Sequence, residues 1–222
     1  MKTVNLLGRG PSLNHLEVLP DSDLVILAND FDHEISQIKK LHDYLKKQTI
    51  HLVLNMVTHN ADGYNSINFF TEFNVEKLIR PYLNGIRIPG SSGQSIPLEE
   101  NFLGNHHKEF MFKDGSKYPY DYAGTGIASF AYSVLDCQAD VVNVIGIDFY
   151  DNLQYGKRNY LVDDKDGRDF KRDFWKPEQM QENVVSLVKG NPNVKVNLHT
   201  ICKNFIGEME NIENLNIVRY DD

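Results

Sequence analysis

Two short turns in the sequence carry residue types that suit contact with a phosphate or a sugar. Gly8-Arg9-Gly10-Pro11-Ser12 follows one apolar run, and Gly146-Ile147-Asp148-Phe149-Tyr150 follows another. Glycine lets the backbone turn sharply and approach a ligand, and proline has the φ of a first helical turn. Because N–H groups at a helix start favour an anion, the first turn predicts a nucleotide-binding strand-to-helix connection; a tight turn without a ligand is the alternative.

Polar residues also follow other predicted strands. Asn29 follows the strand 23–28, and Asn55 follows the strand 51–54. In open α/β sheets, ligands bind outside the carboxyl ends of the strands, and an amide that both donates and accepts suits a base edge or a ribose. Asparagine also tolerates the turn after a strand, so a structural role is the alternative. Asp148 is predicted to hold a hydroxyl or a neighbouring helix start, with a structural cap as the alternative.

The elements that would position these residues alternate between strand and helix. The apolar patterns predict strands at 3–7, 23–28, 51–54, 141–147, 194–198 and 215–218, and helices at 35–45, from Gly124 onward and at 177–189. This alternation predicts an α/β fold, with a mostly parallel sheet and helices on both faces.

Two segments interrupt this pattern. Residues 56–122 predict an irregular lid or insertion over the carboxyl edge of the sheet. Within it, the apolar positions Val75, Leu78, Ile79 and Tyr82 predict a short helix, capped by Asn74 and cut by Pro81. Residues 155–176 predict a mobile, charged segment in which lysines and arginines alternate with aspartates.

Composition bounds the class of protein. The 222 residues, with 41% hydrophobic and 24% charged side chains, predict one large α/β domain spanning 1–222. A net charge of −8 argues against a nucleic-acid partner, since no basic excess exists to replace counterions. Met1-Lys2-Thr3 leads directly into the first strand and no apolar stretch is long enough to span a membrane, so we expect a cytoplasmic protein. Cys137 and Cys202 fit no metal or redox spacing and are expected to be buried.

Together these motifs resemble the bacterial sialyltransferases of glycosyltransferase family 42. The order and rough spacing of the motifs hold from residue 3 to about residue 205, except over 56–120. The motifs that carry the resemblance are Gly8-Arg9-Gly10-Pro11-Ser12-Leu13, Asn29, Asn55, Gly124-Thr125-Gly126 and Gly146-Ile147-Asp148-Phe149-Tyr150.

The resemblance implies a single Rossmann-like domain with a lid, which transfers a sugar from a CMP-sugar to a glycan hydroxyl without a metal ion. No cofactor is implied, since the CMP-sugar is the donor substrate, and a homo-oligomer is possible. Tyr150 and Tyr155 would contact the phosphate as the catalytic residues, because two phenol donors can stabilise charge on departing CMP. The residues implied to bind the nucleotide are Gly8, Arg9, Gly10, Ser12, Asn29, Asn55 and Thr125.

The sequence departs from the family at two places. The family's general base is a histidine, but the corresponding segment, 168–176, contains none, so the base is unassigned. A non-catalytic nucleotide or glycan binder is therefore an alternative, and a diphosphokinase like those acting on 6-hydroxymethylpterin is a further one. Arg9 replaces an asparagine of the family, and a cation beside the phosphates suits a diphosphate or a different nucleotide.

Overall fold

The structure is a computed structural model that describes residues 1–29, 31, 34, 35, 38–53, 72–80, 98–101, 124–149 and 177–220. Its strands are β1 (Thr3–Leu7), β2 (Leu24–Ala28), β3 (Ile50–Val53), β4 (Val75–Arg80), β5 (Leu98–Asn101), β6 (Val141–Ile145), β7 (Lys195–Thr200) and β8 (Leu215–Arg219). Its α-helices are α1 (Ser12–His15), α2 (Lys39–Leu45), α3 (Gly124–Leu135) and α4 (Pro177–Gly190), and a 3₁₀ turn covers Met209–Asn211.

Within the described residues, the strands form one sheet of eight, in the order β5-β4-β3-β2-β1-β6-β7-β8. Every neighbouring pair is parallel. From β1 the chain continues toward β2 on one side, whereas from β6 it continues toward β7 on the other. The strand order therefore reverses between β1 and β6, and such a reversal opens a ligand crevice at the carboxyl ends of the two strands.

Alternate side chains of β1 and β2 point to opposite sides of the sheet. Because both sets are apolar, helices cover both faces. Val4 and Leu6 belong to one buried cluster, which includes apolar residues of α3 and α4. Leu7 belongs to the opposite cluster, together with Leu41 and Leu45 of α2. These observations confirm the predicted Rossmann-like α/β fold with helices on both faces.

One predicted element is wrong. Residues 75–80 form strand β4 and not a helix, since they pair with β3 on one side and β5 on the other. A helix of this length is marginal in water, while Val75 and Ile79 suit a strand that is paired on both sides. β4 and β5 both lie in the stretch predicted as a lid, so part of that stretch extends the sheet. Apart from 72–74, the rest of it lies outside the described residues, as does 155–176.

The remaining elements occur close to their predicted positions. As expected, a strand covers 3–7 and a helix begins at Gly124. The strand predicted at 141–147 is β6, which ends two residues earlier, at Ile145. Both cysteines are buried, as predicted, and neither is in a disulfide bond; burial raises the pKa of Cys137 to about 12. None of the described helices is long and apolar enough to cross a membrane.

An asparagine ladder crosses four neighbouring strands at one level of the sheet. Its members are in direct register: Asn5 of β1, Asn143 of β6, Asn197 of β7 and Asn216 of β8. Asn143 and Asn197 each donate a 2.8 Å hydrogen bond to the asparagine before them, and Asn216 donates one of 3.3 Å. Asn5 in turn donates to the Tyr44 hydroxyl at 2.7 Å, so its buried amide is satisfied. The ladder fixes the alignment of this half of the sheet.

Near the carboxyl end of β7, a histidine and a tyrosine make stability sensitive to acid. The ring nitrogen Nδ1 of His199 is 2.7 Å from the Tyr220 hydroxyl, and His15 stacks on Tyr220 at 5.4 Å. Burial lowers the pKa of His199. In the window between the lowered and the ordinary pKa, the unfolded chain binds more protons than the folded one, so stability falls as the pH falls through it.

We therefore expect the urea midpoint of the wild type to fall more between pH 8 and pH 5 than that of His199→Gln. Glutamine can still bond to Tyr220 but does not titrate. Equal losses of stability in the two proteins over this range would contradict a contribution from His199.

Candidate functional site at the carboxyl edge of the sheet

The two glycine turns lie against each other at the ends of β1 and β6. Gly8 N–H donates to the Ile145 carbonyl at 2.6 Å, and Gly10 N–H donates to the Gly146 carbonyl at 2.8 Å. A Cβ on Gly8 would overlap the carbonyl of Gly146, and a Cβ on Gly146 would overlap that of Gly8. Both positions therefore require glycine, and the contact between these backbones closes the base of the crevice.

The carboxylate of Asp148, which follows β6, forms hydrogen bonds to the chain at the carboxyl ends of β1 and β7. One carboxylate oxygen accepts a 3.0 Å hydrogen bond from the Ser12 N–H at the start of α1. The other accepts bonds of 3.0 Å from the hydroxyl of Thr200, the last residue of β7, and from the N–H of Ile201, the residue after it. The Ser12 hydroxyl completes the arrangement by accepting a 2.9 Å bond from the Gly146 N–H. Of the predicted roles of Asp148, holding a hydroxyl, that of Thr200, and holding a neighbouring helix start are both confirmed, and the latter is the structural cap given as the alternative.

This arrangement changes the expected role of the first turn. The amide of Ser12 is bound by Asp148, and those of Leu13 and Asn14 donate to carbonyls of the turn itself. The prediction that free amides at this helix start grip an anion is therefore wrong for these groups: a carboxylate of the protein takes the place of the anion. Gly8, Gly10 and Ser12 hold the two turns together at this edge of the sheet. Recognition of a ligand there would therefore depend on side chains and not on these amides.

Arg9 supplies a cation at this edge, and it is paired. Its Nε lies 2.7 Å from Oε1 of Glu34, with 11% of the arginine side chain exposed and none of the glutamate. Sequence reasoning missed Glu34. It follows Phe31 by three residues and precedes Ile38 by four, so the helical pattern places a carboxylate on an apolar face, where it needs a cation.

Asn29 follows β2, the strand next to β1. Its backbone is left-handed, with φ 73°, and its N–H donates to the Val53 carbonyl at 2.8 Å. The side-chain oxygen is buried and receives no hydrogen bond in the part of the chain that the structure describes. Leaving such an acceptor unfilled costs on the order of 1–3 kcal/mol, so Asn29 presents an acceptor that a ligand donor would satisfy.

The other predicted residues divide into two groups. Thr125 is buried in the first turn of α3, where Gly126 lies close enough to Ile147 that a Cβ would come within 3.3 Å of it. The start of α3 is thus next to the second glycine turn. Asn55, Tyr150 and Tyr155 lie outside the described residues.

The second glycine turn, 146–149, contains two residues with a positive φ. Phe149 is buried and has a φ of 52°, in the left-handed region that bulky residues rarely adopt. Strained backbone of this kind is concentrated at functional sites. Beneath the turn, an apolar cavity of about 10 Å³ is lined by residues that include Ile147 and Phe149. A cavity of that size is too small for a nucleotide.

Within the described residues, no cluster of three or more His, Cys, Asp or Glu side chains is placed to hold a metal ion. Compared with protein-family models, curated proteins and solved structures, the chain gives no match. The fold and the edge define a Rossmann-like α/β protein with a candidate ligand site at its β1/β6 reversal.

Proposed function

We propose that this chain binds a nucleotide at the carboxyl edge of its sheet, and that the nucleotide is the CMP part of a CMP-sugar. The observation that carries the proposal is the buried side-chain oxygen of Asn29, which accepts no hydrogen bond from the described residues and lies one strand away from the β1/β6 reversal. A ribose hydroxyl or the amino group of cytosine would donate to it.

The proposed reaction is metal-independent transfer of the sugar to a hydroxyl of a glycan acceptor. Arg9 lies in the first turn and supplies positive charge for the phosphate. Tyr150 and Tyr155 would donate to the same phosphate, as the resemblance to family 42 sialyltransferases implies, and Asn55 and Thr125 would complete the contacts. Phenol donors aimed at departing CMP stabilise the charge that develops as the bond to the sugar breaks.

Asn29→Gly is expected to weaken CMP binding about tenfold without loss of stability. The change removes the acceptor, worth on the order of 0.5–1.5 kcal/mol, while glycine keeps the left-handed backbone. Titration calorimetry with CMP, and with UMP, GMP and AMP for comparison, measures the loss of affinity, and thermal unfolding measures stability.

Gln138→Gly is the matched control, because Gln138 also has a positive φ, 50°, but follows α3 at the opposite end of that helix from Thr125. It should bind CMP as the wild type does. Equal CMP affinity in Asn29→Gly and the wild type would contradict the role of Asn29, and a wild type that binds no cytidine nucleotide would contradict the proposed function.

A non-catalytic binder is the second candidate, favoured by the absence of histidine from 168–176. Incubation with CMP-sialic acid in the presence of EDTA separates the two. Release of CMP supports the transferase, since these enzymes can pass the sugar to water. Saturable CMP binding with no release in the presence or absence of glycan acceptors supports the binder.

A further inference from the structure

Strand β8 ends the sheet, and its outer edge pairs with no other strand within the described residues. The Asn214 carbonyl and the Tyr220 N–H both bond to β7. Because the backbone groups of successive strand residues point to opposite edges, those of Ile217 point away from β7. The middle of β8, 216–218, contains no charge and no proline, which are the residues that usually block pairing at an edge. A strand of another chain can therefore add to this edge.

The asparagine ladder ends at the same edge with its last acceptor unfilled. Asn143 and Asn197 each donate one side-chain bond along the row and accept another. Asn216 donates to Asn197 at 3.3 Å, but its own side-chain oxygen accepts no bond in the part of the chain that the structure describes. Asn216 is exposed, and an amide with a spare N–H would extend the row. Asn216 of a second chain is such an amide.

We propose that β8 is a dimerisation strand, which pairs antiparallel with β8 of a second copy of this chain so that the two Asn216 side chains lie opposite each other. Arg219 and Glu213 lie three positions from Asn216 in opposite directions, so Arg219 faces Glu213 of the partner subunit at both ends of the pair. Glu213 is exposed and has no ion pair within the described ranges. Opposite charges and amides across such a pair are stabilising, and a two-fold axis forms each contact twice. The strand is therefore complementary to itself, which favours a second copy over another protein.

The backbone allows the same alignment. Ile217 lies opposite Leu215 of the partner subunit, and its outward N–H donates to that carbonyl. The Leu215 N–H is already bound to the Ile212 carbonyl at 3.1 Å, so each copy donates one backbone bond of this kind. An interface this small is expected to be weak, with a dissociation constant in the micromolar range. The strand at the other end of the sheet, β5, contains two consecutive glutamates, which disfavour pairing there.

Sedimentation velocity on the full chain, between about 1 and 200 µM, tests the pairing. We expect the mass of the wild type to rise from that of the 25.5 kDa chain toward twice that value. Asn216→Asp places two carboxylates opposite each other and should raise the dissociation constant about tenfold or more. Asn74→Asp is the matched control, because Asn74 is also exposed and also donates a single 3.3 Å side-chain bond, but it precedes β4. It should dimerise as the wild type does.

Cysteine variants test the alignment. Residues directly opposite each other in such a pair have Cα atoms about 4.5 Å apart, within the range of a disulfide. Asn216→Cys should therefore form a covalent dimer on oxidation, seen on a non-reducing gel. Val218→Cys is the matched control on the same face, since its two copies would lie about 13 Å apart along the strands. The two native cysteines are buried and should not cross-link.

A wild type that stays monomeric over this concentration range overturns the proposal. A dimer whose dissociation constant changes less than about twofold in Asn216→Asp also overturns it, because that dimer forms through another surface. Cross-linking of Ile217→Cys in place of Asn216→Cys would show a different alignment and overturn the pairing of the two amides. None of these outcomes depends on nucleotide binding, so the proposed function stands or falls separately.

Discussion

Gly146→Ala is expected to lower the free energy of unfolding by about 5 kcal/mol or more. Its Cβ would overlap the carbonyl of Gly8, which is backbone and cannot rotate away. The residue also has a φ of 77°, a conformation that costs alanine about 1–2 kcal/mol. Moving the turns apart to relieve the overlap would break the 2.8 Å bond from Gly10 to Gly146. Urea unfolding followed by circular dichroism measures the loss.

Gly190→Ala is the matched control for this change. Gly190 ends α4, and a Cβ there meets nothing within 4 Å. Alanine in a helix is favoured over glycine by up to about 1 kcal/mol, so this variant should be as stable as the wild type or slightly more stable. A wild-type urea midpoint for Gly146→Ala would show that the two turns are not in contact.

Asp148→Ala is expected to destabilise the protein by about 3–5 kcal/mol. Three donors lose their acceptor at once: the N–H groups of Ser12 and Ile201 and the hydroxyl of Thr200. Ser12 and Thr200 are fully buried, so water does not replace the lost bonds at either without local opening. In a domain of this size, the loss corresponds to a fall in Tm of about 6–20 °C.

Asp23→Ala separates this effect from the simple loss of a carboxylate. Asp23 also accepts a backbone N–H bond, from Thr3 at 2.7 Å, but it is exposed, and water replaces it in the variant. We expect a loss under about 1 kcal/mol there. If Asp148→Ala were no more destabilising than Asp23→Ala, Asp148 would not be the residue that ties the strand ends together.

The fold was largely predictable because strand and helix periodicities differ and most segments are long enough to show one clearly. The apolar runs at 3–7 and 141–145 and the amphipathic stretch at 177–190 are such cases. The pattern failed at 75–80, where Val75 and Ile79 fit a short helix and a strand equally well. Pairing with β3 and β5 decides between them, and that information is not local.

The candidate site was predictable in position but not in its contacts. Glycines and asparagines after strands mark the edge, since parallel strands bring their carboxyl ends together. The hydrogen bond between Asp148 and Ser12 joins residues that are 136 positions apart. The ion pair between Glu34 and Arg9 joins residues that are 25 positions apart. Spacing along the chain does not encode such pairings, and they decide that an anion of the protein, and not one of a ligand, lies at the start of α1.

The asparagine ladder has a consequence for the order of folding. Asn5 and Asn143 are separated by 138 positions, so their bond cannot form until the two halves of the chain meet. Contacts this distant in sequence form slowly, because a long loop must close first. A slip of one position in any of the four strands would turn its amide into the apolar layer opposite, where it would have no partner. Only the correct alignment of the four strands therefore completes the row of amide hydrogen bonds.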